Sequence, residues 1–189
     1  MVIKKKPNGT KITLHPNGRQ VTIRPNGTKI VSKPNGQKIT TRPDGLVISQ
    51  DPDGTKTTRH PNGRLVTELP DGTKEVLRAD GTKITTLTNG RVDTVKPDGT
   101  TITQFPNGRK VTTKPNGVKI VLRKNGVKVT SFPNGKKVTL RPDGTKIVLR
   151  QNGAKVTTRP DGTVVTIKPN CTKIVRRPAP EVVEQPQPV

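Results

Sequence analysis

Every glycine in this chain falls on a multiple of nine. There are eighteen, from Gly9 to Gly162, and the nineteenth slot holds Cys171. An internal period this strict constrains the fold more than any local propensity does. Asn or Asp precedes each glycine, and Pro precedes that, except at Ala79, Thr88, Lys124 and Gln151. Proline presets φ for the first central position of a type I turn, Asn or Asp suits the second, and glycine takes the left-handed residue that follows. The product is a three-residue hairpin loop with a glycine bulge. The six residues between loops, such as 28–33, are rich in Thr, Ile and Val and have the length of a strand. Nineteen turns then separate about twenty six-residue strands, from 2–6 to 172–177.

A two-residue Asn-Gly turn is the competing geometry, and charge decides between them. It would set Arg24 against Lys29, Lys33 against Lys38, Lys114 against Lys119 and Arg141 against Lys146. Directly opposed like charges destabilise a sheet. The three-residue loop instead places Lys29 opposite Ile23 and Thr41, and Lys33 opposite Gln37.

That register fixes the faces. The fourth residue of each unit, counting glycine as first, is apolar in 16 of 19 cases. Ile30 then lies opposite Thr22 and Thr40, so the Ile/Val position changes face from one strand to the next. Neither face becomes a continuous apolar surface. The prediction is an all-β, single-layer, solvent-exposed antiparallel β-meander, held by its hydrogen-bond ladder, cross-strand Thr–Ile contacts and Lys/Arg stems. The alternative is a β-solenoid with 18-residue coils, of ice-binding or fibre type. Thr57, Glu75 and Asp93, the exceptions at the apolar position, would stack inside its narrow core, where unpaired carboxylates are expensive.

Composition agrees with a sheet that lacks a core. Only 26% of residues are hydrophobic and 1% aromatic, and the net charge is +23. The same numbers fit the signature of disorder, but a disordered chain has no reason to keep a nine-residue period. One cysteine excludes an intramolecular disulfide. No secretory signal or membrane-length apolar run is present, which predicts a cytoplasmic protein with no membrane partner.

Little points to catalysis. His15 and His60 occupy the slot usually held by Lys or Arg, so they read as substituted basic positions. Glu75 and Asp93 fall on one face roughly 10 Å apart, from about 4.8 Å per strand, with no nucleophile beside them. We expect no enzyme activity, no metal and no cofactor. The basic rows, represented by Lys29, Lys33, Lys119, Arg123, Lys146 and Arg150, could neutralise nucleic acid or acidic filaments. Single-strand readers interleave aromatics, and those are missing. Keeping an open sheet soluble is the simpler role.

The edges are more specific. Val2, Ile3 and Lys4 at one end, and Thr172, Lys173, Ile174 and Val175 at the other, lie on strands with one bare side. Bare edges are templates for strand addition, so copies could pair into oligomers or filaments. The repeat domain is 1–177. Residues 178–189, "PAPEVVEQPQPV", form a Pro-rich acidic flexible tail, whose Pro178, Pro180, Pro186 and Pro188 make it a candidate ligand for a neighbouring copy.

The stretches "PNGTKI", "PDGTKIVLR" and "FPNGRKVTT" resemble repeats of the G-box, the T-complex-protein-type C-terminal domain of centriole-assembly scaffold proteins such as centromere protein J. The resemblance covers 1–177. It implies a free-standing antiparallel sheet, a non-enzymatic scaffold, a proline-rich peptide of a partner protein as ligand, end-to-end self-association and a place in the cytoskeleton or centriole. It also implies docking on exposed aromatics, for which this chain offers Phe105 and Phe132.

Overall fold

The computed structural model describes residues 1–178. It contains no helix among them, and its twenty strands form an open, single-layer antiparallel sheet. Two compact units divide the chain, 1–106 and 107–189. The N-terminal unit runs from β1 (Val2–Lys5) to β12 (Thr101–Gln104). The C-terminal unit runs from β13 (Lys110–Thr113) to β20 (Lys173–Arg176). Within each unit every strand pairs with its sequence neighbours, which excludes the 18-residue solenoid coil.

The three-residue loop is the observed one. Lys29 faces Ile23 and Thr41, and Ile30 faces Thr22 and Thr40. The turn closes the same way at successive repeats. Gly27 N–H donates to the Arg24 carbonyl at 2.9 Å, and Arg24 N–H donates to the Thr28 carbonyl at 2.9 Å. The Thr28 N–H would be left over, and the Asn26 Oδ1 accepts it at 3.0 Å. Each Asn or Asp in the turn therefore caps the amide two residues on.

The regular ladder spans the inner four residues of each six-residue segment, for example Lys29–Ser32. The flanking pair, such as Arg24 and Thr28, keeps a single hydrogen bond because the bulge turns one amide toward the Asn side chain.

Among the described residues no side chain is fully buried. The most enclosed apolar residues are Val31, Val66 and Ala154, at 9%, 7% and 6% exposure. The other buried positions are threonines just after the turn glycine, including Thr28, Thr82 and Thr145. The sheet therefore rests on backbone pairing and cross-strand contacts, with no second layer.

The turns are themselves packed. The space a Cβ would fill at Gly117 is met by the Pro133 ring at 3.0 Å, and at Gly27 by the Pro43 ring at 3.1 Å. Most turn prolines lie in this way over the glycine sixteen residues earlier, on the next turn along the same side of the sheet, although Gly153 has nothing within 4 Å. The glycine φ values run from 77° to 91°. Glycine is thus needed both for its left-handed backbone and for its bare Cα.

Candidate functional site

Among the described residues, which build no core, the faces and edges of the sheet are the surfaces on which a partner can act. Because residues directly opposed across a ladder share a face, the registers define each face of each unit.

In the N-terminal unit one face carries a central row of Ile or Val alternating mostly with Thr: Ile12, Thr22, Ile30, Thr40 and Ile48 follow one another. The opposite face differs. From Ile39 its row passes to Ser49, Thr57, Thr67, Glu75, Thr85, Asp93 and Thr103, without an apolar residue. Beside this polar row lie Leu69, Leu87 and Phe105, on alternate strands, in the slot usually held by Lys or Arg. All three are half-buried. The charges here are balanced. Glu75 pairs with Lys83 at 2.9 Å. Asp93 accepts from the Thr103 hydroxyl at 2.7 Å and pairs with Arg91 at 3.0 Å. The Arg91 guanidinium lies 5.9 Å from the Phe105 ring centre. On the other face Glu68 sits between Lys56 and Lys74 at 3.6 and 3.4 Å, and both hold its carboxyl below the usual range, Lys74 more strongly.

This patch of mixed apolar and balanced polar character is the part of the site that the nine-residue reading passes over. Glu75 and Asp93 are visible as exceptions. Leu69, Leu87 and Phe105 become a row only when the sequence is read at eighteen residues, the distance between strands that present the same face.

The C-terminal unit is of another kind. Residues 107–178 hold eighteen Lys and Arg against Asp143 and Asp161, a net +16, whereas 1–106 hold eighteen against nine, a net +9. Asp143 and Asp161 are both turn residues. Each accepts the backbone N–H of the threonine two residues on, at 2.8 Å, and also its hydroxyl, which lowers the carboxyl pKa. The expected basic residues Lys119 and Arg123 come together in a shallow concavity with Arg109, Lys124 and Lys137 around Val121 and Val129. Lys146 and Arg150 belong to the same unit's other face, with Lys146 opposite Leu140 and Thr158. Lys29 and Lys33 share a face in the N-terminal unit.

The two phenylalanines lie in different units, each beside its own cation, and Lys136 Nζ is 5.5 Å from the Phe132 ring centre. The expected edge residues are open. Val2 and Ile3 are 53% and 52% exposed, and Ile174 and Val175 are 38% and 48% exposed. Lys4 pairs with Ile12, and Lys173 with Ile167, on one side only among the described residues. Thr172 precedes β20. Pro178 rests against the turn at Gly162, 3.5 Å from its Cβ position. Pro180, Pro186 and Pro188 lie outside the described residues. His15 and His60 are turn-flanking residues, whose N–H groups donate to Arg19 and Arg64 carbonyls. Among the described residues no three His, Cys, Asp or Glu come together as a metal site, and no helix is long and apolar enough to cross a membrane.

These features define a class of protein: a free-standing antiparallel sheet built from nonapeptide hairpins, with both faces open to partners. The T-complex protein 10 C-terminus family model matches residues 7–41, 66–95 and 91–119. The TCP10 domain of Danio rerio CPAP is 27% identical and superposes with a TM-score of 0.76 over 88% of this chain and 99% of that one. The same domain in complex with a peptide of Danio rerio STIL is also 27% identical, with a TM-score of 0.71 over 94% and 99%. The SAS-4 (dCPAP) TCP domain of Drosophila melanogaster, in complex with a proline-rich motif of Ana2, is 23% identical, with a TM-score of 0.65 over 70% and 90%, a likeness of fold. No curated protein sequence matches the chain. In repeat sequence and in fold, the chain resembles the TCP10, or G-box, domain.

Proposed function

We propose that this chain is a non-enzymatic scaffold that docks an extended proline-rich segment of a partner protein on the N-terminal unit, across the face bearing Leu69, Leu87, Phe105, Glu75 and Asp93. The observation that carries this reading is the replacement of cations by a Leu-Leu-Phe row on that face, in a chain of net charge +23. Apolar side chains on alternate strands, half-buried and flanked by satisfied charges, supply pockets without exposing a large apolar patch. The peptide-bound domain at 27% identity supports it. Cytoplasmic localisation at the centriole, and self-association through the bare edges of β1 and β20, complete the reading. A Pro-rich peptide titrated calorimetrically into the chain tests it. Phe105→Ala and Leu87→Ala should each weaken binding about 10-fold, the order expected for an anchoring side chain, and Phe132→Ala should not. Equal binding by all four proteins would overturn the assignment. Edge pairing predicts a mass that rises with concentration in light scattering, and monodisperse monomers would exclude it.

Polyanion binding is the second reading, and the +16 of residues 107–178 favours it. It predicts steeply salt-dependent retention on DNA, RNA or an acidic polypeptide.

A further inference from the structure

The even-numbered strands of the C-terminal unit, β14, β16, β18 and β20, share one pattern with the residue that follows each: KIVLR at 119–123, KVTLR at 137–141, KVTTR at 155–159 and KIVRR at 173–177. In a strand the first, third and fifth residues share a face. The ladder through the third residues passes from Val121 by Val129 to Thr139, by Ile147 to Thr157, and by Val165 to Val175. The fifth residues, Arg123, Arg141, Arg159 and Arg177, therefore form one row on that face. All four are exposed; among the described residues none makes an ion pair, and the carboxylates near them are the turn residues Asp143 and Asp161, beside Arg141 and Arg159. Small or half-buried side chains, Val127, Thr145 and Thr163, separate them.

The spacing of the row is set by the sheet. Strands about 4.8 Å apart bring the same face back every second strand, about 9.6 Å. A polyproline II segment repeats every three residues, at about 3.1 Å each, or about 9.3 Å. Laid across the strands, such a segment would offer every third residue to successive arginines. It would need proline to hold the conformation and a carboxylate at every third position.

The chain carries a matching segment. In "PAPEVVEQPQPV" Glu181 and Glu184 are three residues apart. The chain leaves the sheet at Pro178, which rests on the Gly162 turn beside Arg177. Eleven further residues at about 3.1 Å reach about 34 Å. Arg177 to Arg123 is six strand spacings, about 29 Å. Length, charge and period agree.

We infer that residues 179–189 dock in cis along the Arg123–Arg177 row, with Glu181 and Glu184 on successive arginines. The face is then a binding site for acidic, proline-rich segments with a three-residue period, occupied by the chain's own tail. It is separate from the docking face of the N-terminal unit and stands independently of it.

The test uses the full chain, with Cys171→Ser and Val189→Cys carrying a nitroxide label. Backbone amides of β14 (Lys119–Leu122) and β16 (Lys137–Leu140) should lose at least twofold in NMR intensity. Glu181→Gln with Glu184→Gln should restore it. One alanine inserted between residues 182 and 183 keeps both charges but breaks the period, and should restore it too; three inserted alanines should not. Tail relaxation in the unlabelled protein gives a label-free readout: heteronuclear NOE values near those of the sheet, falling in the double variant. No broadening, broadening that grows with protein concentration, or indifference to the charge and single-insertion variants would each overturn the proposal.

Discussion

At the scale of single residues the turn carries the strictest demands. Gly117 has a φ of 78° and a proline ring 3.0 Å from its absent Cβ. Alanine there meets both penalties, whereas at Gly153, with a φ of 81° and nothing within 4 Å, it meets only the first. A left-handed alanine costs about 1–2 kcal/mol, so Gly153→Ala should lose about that much by denaturant titration, and Gly117→Ala measurably more. Cys171 has a φ of 64° and is the one non-glycine residue with positive φ among those described. Its N–H still donates to the Lys168 carbonyl at 2.9 Å, so the turn is intact. Cys171→Gly should stabilise by about 1 kcal/mol, with the gain confined to protection of β20 in hydrogen exchange. The turn aspartates Asp80, Asp98, Asp143 and Asp161 have carboxyl pKa values lowered, first by the backbone N–H and then by the hydroxyl of the following threonine. A depressed folded pKa gives stability that is present above the ordinary carboxyl value and is lost as pH falls through the folded one. Acid unfolding should therefore steepen below about pH 4. Replacing the four by Asn, which other repeats use natively, should flatten the profile there.

At the scale of the element, neighbouring strands are the same hairpin arm turned over. A residue at position four always faces one at position five, on both sides. Removing one nonapeptide preserves every register but exchanges the faces of all that follows. Removing two preserves the faces as well. Deleting residues 73–81 should therefore leave a folded sheet with strand circular dichroism intact, yet move Leu69 to the face opposite Leu87 and Phe105 and abolish docking of a Pro-rich peptide. Deleting residues 37–54 should spare it. The same geometry explains what could be read in advance. The loop length was legible because the wrong loop opposes Arg24 to Lys29 and Lys33 to Lys38, an energetic conflict written in one dimension. The inner-four ladder was not, because it depends on which way the Thr28 amide turns at the bulge. The Leu69, Leu87 and Phe105 row stayed hidden because a nine-residue frame superimposes two faces.

At the scale of the whole molecule, stability is shared among local contacts. Among the described residues no side chain is fully buried, and strands within a unit touch only their sequence neighbours. Chains of this kind gain stability as a sum of repeat and nearest-neighbour contributions. Hydrogen exchange should thus be graded, fastest at β1 and β20, in place of a single global opening. The ion pairs add little to that sum, since Lys56, Glu68 and Lys74 are about half exposed and such pairs contribute roughly 0–1 kcal/mol. Charge matters more for what the surface can receive, which differs between the balanced N-terminal face and the exposed arginine row of the C-terminal unit.

The proline that rests on a glycine sixteen residues upstream has a genetic consequence. Two positions on neighbouring turns of the same side are sterically coupled. A side chain gained at residue 117 is best compensated by one lost at residue 133, and Pro133→Ala should partly rescue Gly117→Ala while costing stability alone. Chains built this way should show glycine slots and the residues sixteen further on varying together.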